Sequence, residues 1–310
     1  TKEAERARVL DKTLRHNLIG VNVKGPDNAL IRNNTIRGLR DLHMSERGNG
    51  VHVWNSPGAE VVGNDIRWGR DGIFVTTSRQ NRFHANRFRD LRYGVHYMYT
   101  NQSEVTENVS IGNHAGYAIM FSKVIEVRGN LSRDDRDHGL MLNFANRSRF
   151  VENAVLDGSG KCVFVYNSNF NTLSRNLFRG CRIGIHYTAG SQDNELFENG
   201  FVANRTQVKY VSTTHREWAK AGRGNYWSDH AAFDLDGDGI ADRRYRPNGL
   251  VDQVIWRYPQ AKLLLNSAAM KVLRWAQSQF PALLPGGVVD PAPLMKAPRP
   301  DAMALSGGGA

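Results

Sequence analysis

The chain has 310 residues, a hydrophobic fraction of 40% and ten prolines, and its 27 Asn and 30 Gly, residues suited to tight or left-handed turns, argue against a helical bundle. Lys and Arg number 41 against 30 Asp and Glu, a net charge of +11, but the cations stand singly rather than in blocks, which disfavours a nucleic-acid partner. No apolar stretch reaches the roughly 18 residues that a bilayer span needs.

Residues 1–15 read as a lead-in with neither an initiator Met nor a charged-then-apolar segment, as expected of a processed or clipped piece whose export signal is absent. From there to residue 210 a repeat dominates. Gly50, Gly72, Gly94, Gly116, Gly139, Cys162 and Gly184 recur every 22 or 23 residues, and Asn64, Asn86, Asn108, Asn130, Asn153, Asn176 and Asn199 keep step. A first copy runs from Gly20 to Asn34, and Leu39–Asn49 reads as a loop inserted before the second. After each glycine-column residue come alternating pairs such as Val51 and Val53, Ile73 and Val75, or Leu140 and Leu142, the period of a strand. Short strands repeating at this interval, without helical periodicity between them, predict an all-β fold, a right-handed parallel β-helix of 22–23-residue coils spanning 16–210. Its inward Asn column predicts an amide ladder. Only Pro26 and Pro57 fall within residues 16–205, consistent with backbone N–H groups committed to pairing.

If the first and third residues after the glycine column face inward, the second and fourth face out. That outer ridge carries His52, His96, Met98, Met120, Met141 and His186. Side chains on successive coils begin about 5 to 7 Å apart, so His96, Met98, Met120 and Met141 could converge on one ion. Thioethers with imidazole suit Cu(I) far better than hard divalent ions. The competing reading is that Met, His and aromatic groups cover the outside of a sheet. His43 and Met44 in the inserted loop suit either a lid over this face or an ordinary surface loop, while His84, His114 and His138 read as turn histidines. A carbohydrate-active β-helix enzyme, the alternative function, would need carboxylates beside Lys or Arg on an outer sheet, and the ridge supplies none. A plain structural spacer is the third reading. Asp134, Asp135 and Asp137 fit local charge pairing among Arg133, Arg136 and His138. Cys162 and Cys181 are expected to lie too far apart for easy bridging.

Residues 211–259 read as a C-terminal cap. It contains Asp234, Asp236, Asp238, the carbonyl of Ile240, and Asp242 around two glycines, a calcium-loop pattern whose alternative is a solvated Asp-rich turn. Over 260–280, Leu265, Val272, Leu273 and Phe280 lie on an apolar stripe of helical period that either caps the solenoid or docks a partner, and Pro281 is expected to end that helix. Residues 281–310 hold six of the ten prolines and read as an extended or disordered tail.

The strings Gly94-Val-His-Tyr-Met-Tyr-Thr100, Gly116-Tyr-Ala-Ile-Met-Phe-Ser122, His138-Gly-Leu-Met-Leu-Asn143, Gly184-Ile-His-Tyr187 and Gly224-Asn-Tyr-Trp-Ser-Asp229 resemble the NosD family over roughly residues 16 to 260. The resemblance implies a non-enzymatic periplasmic accessory protein that works with ABC transporter membrane subunits and a copper-donating lipoprotein. Its implied task is assembling the copper-sulfur centre of nitrous oxide reductase. His96, Met98 and Met120 fall inside the matching strings, so the resemblance implies transient Cu(I) binding there.

Overall fold

A computed structural model describes residues 6–210, 212, 214–280 and 286–307. It is a parallel β-solenoid whose coils each give one strand to sheets A, B and C, of nine, ten and nine strands. One coil supplies Arg82–His84 to sheet A, Arg87–Arg89 to sheet B and Tyr93–Met98 to sheet C. Successive coils stack in register, Val95 lying between Ile73 and Tyr117 and Met98 between Thr76 and Met120. The stack begins before residue 16, because Arg8–Leu10 and Thr13–Arg15 already pair into sheets A and B.

The inward positions of sheet C are those that the period of two selects: Val51, Val53, Ile73, Val75, Val163 and Val165 are fully buried. Glycine recurs in this column because, in the coils where it stands, the interior corner is filled by neighbouring atoms. A Cβ on Gly72 would overlap the Phe88 ring and the Gly94 carbonyl. The Asn column forms the ladder that the spacing predicts. Asn108 donates from its backbone N–H and from Nδ2 to Asn130 Oδ1, both at 3.0 Å, and again from Nδ2 to the Phe83 carbonyl at 2.9 Å. Each buried amide is thereby satisfied while it ties one coil to the next.

Cys162 and Cys181 form a disulfide, with Cα atoms 5.7 Å apart, contrary to the sequence expectation. Cys162 takes a glycine-column place, so its side chain enters the interior corner, and Cys181, nearly a full coil later, returns to that corner. Linear spacing does not reveal that the coil closes on itself there.

The last coil is closed by aromatic rings and by the tail. Trp227 stacks on Phe201 at 4.5 Å, and Tyr245 packs against Trp227 at 4.8 Å. The tail read as extended or disordered is ordered between 286 and 307, where Gly287–Val289 pairs with His215–Glu217. Asp290 is fully buried and accepts from Asn225 N at 2.6 Å and Trp227 Nε1 at 2.7 Å, ending the Asn ladder on a carboxylate. Farther on, Ala302, Met303 and Leu305 cover Leu131, Leu156 and Leu177 on the outside of sheet B. Prolines that cannot join a ladder still suit such an edge-covering strap. Pro281, with 281–285 and 308–310, lies outside the described residues.

Of the stretch 260–280 read as one helix, only α2 (Ala268–Gln279) is α-helical, and a further helix, α1 (Leu250–Arg257), lies in the stretch read as cap. Pro259–Leu264 between them is a 3₁₀ turn, and Ser267 caps α2 by accepting from Met270 N. Among the described residues no helix is long and apolar enough to cross a membrane.

Candidate metal-binding face

The outer face of sheet C carries two ladders. One reads His52, Phe74, His96, Ala118, Met141, Phe164, His186 and Lys209 in successive coils. The other reads Trp54, Thr76, Met98, Met120, Asn143 and Tyr166. Met98 and Met120 are direct register partners, and Ala118 lies between His96 and Met141. Although Ala118 points outward, it is fully buried, so its larger neighbours close over it. His96 and Met120 are themselves only 7% and 8% exposed. The fold thus brings His96, Met98, Met120 and Met141 around one small residue.

His52 and His186 share the ladder but stand apart from this group, each behind a phenylalanine ring. Phe74 lies 5.1 Å from His52 and 4.9 Å from His96, and Phe164 lies 5.1 Å from His186. Burial lowers the pKa of His52. Burial, with the charges of Lys209 and Lys161, pushes His186 down to about 4. Both are neutral near pH 7, but two lysines beside His186 disfavour an approaching cation.

His96 is prepared differently, by a residue that the sequence reading misses. Asp71, buried on the strand one coil below, accepts from Arg92 at 2.8 and 2.6 Å and lies 3.0 Å from His96 Nδ1. Burial raises the carboxyl pKa, but the hydrogen bonds from His96 and Arg92 more than offset it, so the group sits below its ordinary value and stays ionised. Arg92 Nη2 is 3.4 Å from the same ring nitrogen and cannot accept. The shorter contact, to the carboxylate, therefore assigns the proton to Nδ1 and leaves the lone pair on Nε2. That Nε2 is buried and has no hydrogen-bond partner. A carboxylate behind the imidazole with the far nitrogen unsatisfied is the arrangement that orients a metal-ligating histidine. His138, taken from sequence as a turn residue, opens a strand of the same sheet in register with Ala115. It has a similar partner in Asp137, 3.0 Å from Nδ1, but Lys161 Nζ occupies its Nε2 at 3.2 Å. Burial and the Lys161 charge lower it to about 4.

Three successive strands of the second ladder, those of Met98, Met120 and Asn143, run on into left-handed corners at Tyr99, Phe121 and Phe144, with φ of 51°, 47° and 52°. Their rings stack at 5.2 and 5.0 Å and continue to Tyr166, and all four are exposed. An aromatic ledge therefore borders the thioethers. The inserted loop holds itself together instead: His43 Nδ1 lies 2.8 Å from Ser45 Oγ, and Arg47 reaches the Leu42 and Arg40 carbonyls.

Elsewhere the expectations divide. Asp135 is not a surface charge pair: it is fully enclosed and accepts from Ser132 Oγ, Ser110 Oγ and Asn113 N. Carboxylates and arginines do share an outer sheet, Glu60, Arg82, Glu104, Glu126 and Arg149 in register, but on sheet A, away from the glycine-column ridge. Asp234, Asp236 and Asp238 each place an oxygen within 4.8 Å of the others. Hydrogen bonds from the Gly239 and Gly237 N–H groups hold Asp234 below its usual pKa. Asp242 turns aside to accept from Leu235 N, and Ile240 pairs with Leu294. On α2, Leu273 is half-buried while Val272 is 61% exposed, with Trp275 and Phe280 at 62%. Leu265, in the connection before α2, is half-buried.

A family described as periplasmic copper-binding protein (NosD) matches residues 32–232. A Stutzerimonas stutzeri protein named probable ABC transporter binding protein NosD is 42% identical over 309 residues, 95% of this chain and 71% of that protein. A Pseudomonas aeruginosa protein of the same name is 42% identical over 310 residues, 96% of this chain and 72% of its own length. Among solved structures, the periplasmic alginate epimerase AlgG has a TM-score of 0.55 at 16% identity, covering 76% of this chain and 66% of that one, which shows a shared fold and no more.

Proposed function

Because this chain belongs to the NosD family, we propose that it is a periplasmic, non-enzymatic copper-delivery scaffold that holds Cu(I) as cargo on the outer face of sheet C. The observation that carries this reading is His96, whose Nε2 is buried without a partner while Asp71 holds the opposite nitrogen, beside Met98, Met120 and Met141. Neutral imidazole and thioether ligands bind a soft monovalent ion without a large change of charge. They release it ligand by ligand to a protein that offers competing sulfur.

The partners in this proposal are a copper-donating lipoprotein, nitrous oxide reductase as the destination, and ABC transporter membrane subunits. The exposed ledge of Tyr99, Phe121, Phe144 and Tyr166 supports docking of a donor or acceptor next to the cargo. The exposed side of α2, with Val272 and Phe280 beside Leu265 and Leu273, is the proposed attachment to the transporter. Asp234, Asp236, Asp238, Ile240 and Asp242 are proposed as a static Ca²⁺ brace of the cap, with the first three providing the direct carboxylates.

Anaerobic Cu(I) titration against a chromophoric competitor tests the central claim. Wild type should bind one equivalent, and a variant with His96, Met98 and Met120 replaced by Ala should lose at least a hundredfold in affinity. Equal affinities would move the cargo to another site or leave only a spacer.

A further inference from the structure

Beyond the copper face, a cavity of about 500 Å³ opens between the last coils of sheet C and α1 with the 3₁₀ turn behind it. Its walls include Arg182, Arg205, Lys209 and Lys262, with Asp252 and Trp256. The four cations come from three separate elements, and Lys262 is 80 residues from Arg182, so their convergence is a product of the fold. Arg182 and Arg205 occupy the same place in consecutive coils, since Thr206 N donates to the Arg182 carbonyl and Arg205 N to that of Cys181. Their backbones lie about one strand spacing, ~4.8 Å, apart, so both side chains leave the same edge of the stack and bring two positive charges to the cavity wall, where an anion would be attracted by both.

No ion pair among the described residues neutralises any of the four. The one carboxylate in the wall, Asp252, is engaged as the partner of Gly249 N at 2.8 Å at the start of α1. Lys209 stands in register with His186 of the preceding coil, at the end of the outer ladder. Trp256 and Ile255 add an apolar wall. Counting side-chain charges, four positive and one negative leave +3 around a space of the size that small molecules occupy.

We propose that this cavity binds a small polyanion, a molecule with two or more phosphate, sulfate or carboxylate groups. Arg182 and Arg205 grip one group with their forked N–H donors, while Lys209 and Lys262 neutralise the second. The site is distinct from the thioether cluster, from which Phe164 and His186 separate it along the ladder. It does not depend on copper being the cargo.

Calorimetric titration of the full chain with inorganic pyrophosphate and, separately, with citrate at physiological ionic strength tests the proposal, the two arms distinguishing phosphate from carboxylate chemistry. Saturable 1:1 binding of at least one probe is expected. The pair Arg182→Gln, Arg205→Gln should weaken it tenfold or more, and so should the pair Lys209→Gln, Lys262→Gln, which keeps the test open if the first pair disturbs folding. The variant with His96, Met98 and Met120 changed to Ala should bind the anion as wild type does. A control pair, Arg15→Gln with Arg32→Gln, removes the same charge at the other end of the stack and should leave affinity unchanged. Absence of saturable heat with both probes, or equal weakening by the control pair, would overturn the proposal.

Discussion

Two buried aspartates show how one side chain type takes opposite roles in this solenoid. Asp71 is matched by Arg92 and by His96, and remains a carboxylate. Replacing it with Asn keeps the shape but loses the charge that fixes the His96 tautomer. Cu(I) affinity should fall by about 10- to 100-fold, the usual cost of removing the group behind a metal-bound histidine, with competition titration as the check. Loss of folding rather than of affinity would show that Asp71 is only structural. Among the described residues no cation pairs with Asp135, and burial, opposed by hydrogen bonds from Ser132, Ser110 and Asn113, raises its pKa to about 7. A carboxyl whose folded value lies above its unfolded value binds the proton more tightly when folded. Its contribution is therefore most favourable below the unfolded value near 4 and is lost as pH rises towards 7. Over that window stability should decline by up to an order of 4 kcal/mol, at 1.36 kcal/mol per unit, and Asp135→Asn should flatten the slope in urea unfolding measured across pH. His96 was legible in the sequence because strand alternation alone puts it outside. Asp71 was not, since an Asp just before a glycine reads as a turn until stacking sets it beside His96.

At the scale of elements, the glycine and Asn columns were readable because nearly every coil repeats the same demands: no Cβ at the interior corner, where Cys162 departs from glycine, and an amide that can face both neighbours. The C-terminal helical stretch was less readable. Its stripe of Leu265, Val272, Leu273 and Phe280 has helical period, but Pro259–Leu264 winds as a 3₁₀ turn and the stripe splits between half-buried Leu265 and Leu273 and exposed Val272 and Phe280. If the exposed side attaches the transporter, Val272→Glu with Phe280→Glu should abolish co-purification with the membrane subunits. The melting temperature should change by less than about 2 °C, since exposed substitutions seldom cost more than about 0.5 kcal/mol. Undiminished association would remove α2 from the interface.

Taken whole, the molecule is a stack whose open ends and faces need closure, and its C-terminal residues provide it. Asp290 finishes the amide ladder, and the segment through Leu305 shields sheet B. The Cys162–Cys181 bond ties two late coils together and fits an oxidising compartment. Replacing both cysteines with Ala should lower unfolding free energy by about 3 kcal/mol, the chain-entropy value for a loop of this size, as read by denaturant melts. An unchanged midpoint would mean that stacking alone already confines that loop. Periodicity determined, without any coordinates, the solenoid, its inward core, its Asn ladder and the outward placing of His96, Met98, Met120 and Met141, because all of these follow from a repeat that each coil states locally. The disulfide, the Asp71 support of His96, the cationic cavity and the docking of the tail were decided only by tertiary structure, because each depends on which residues meet across coils or across a hundred residues of chain, and no local pattern encodes that meeting.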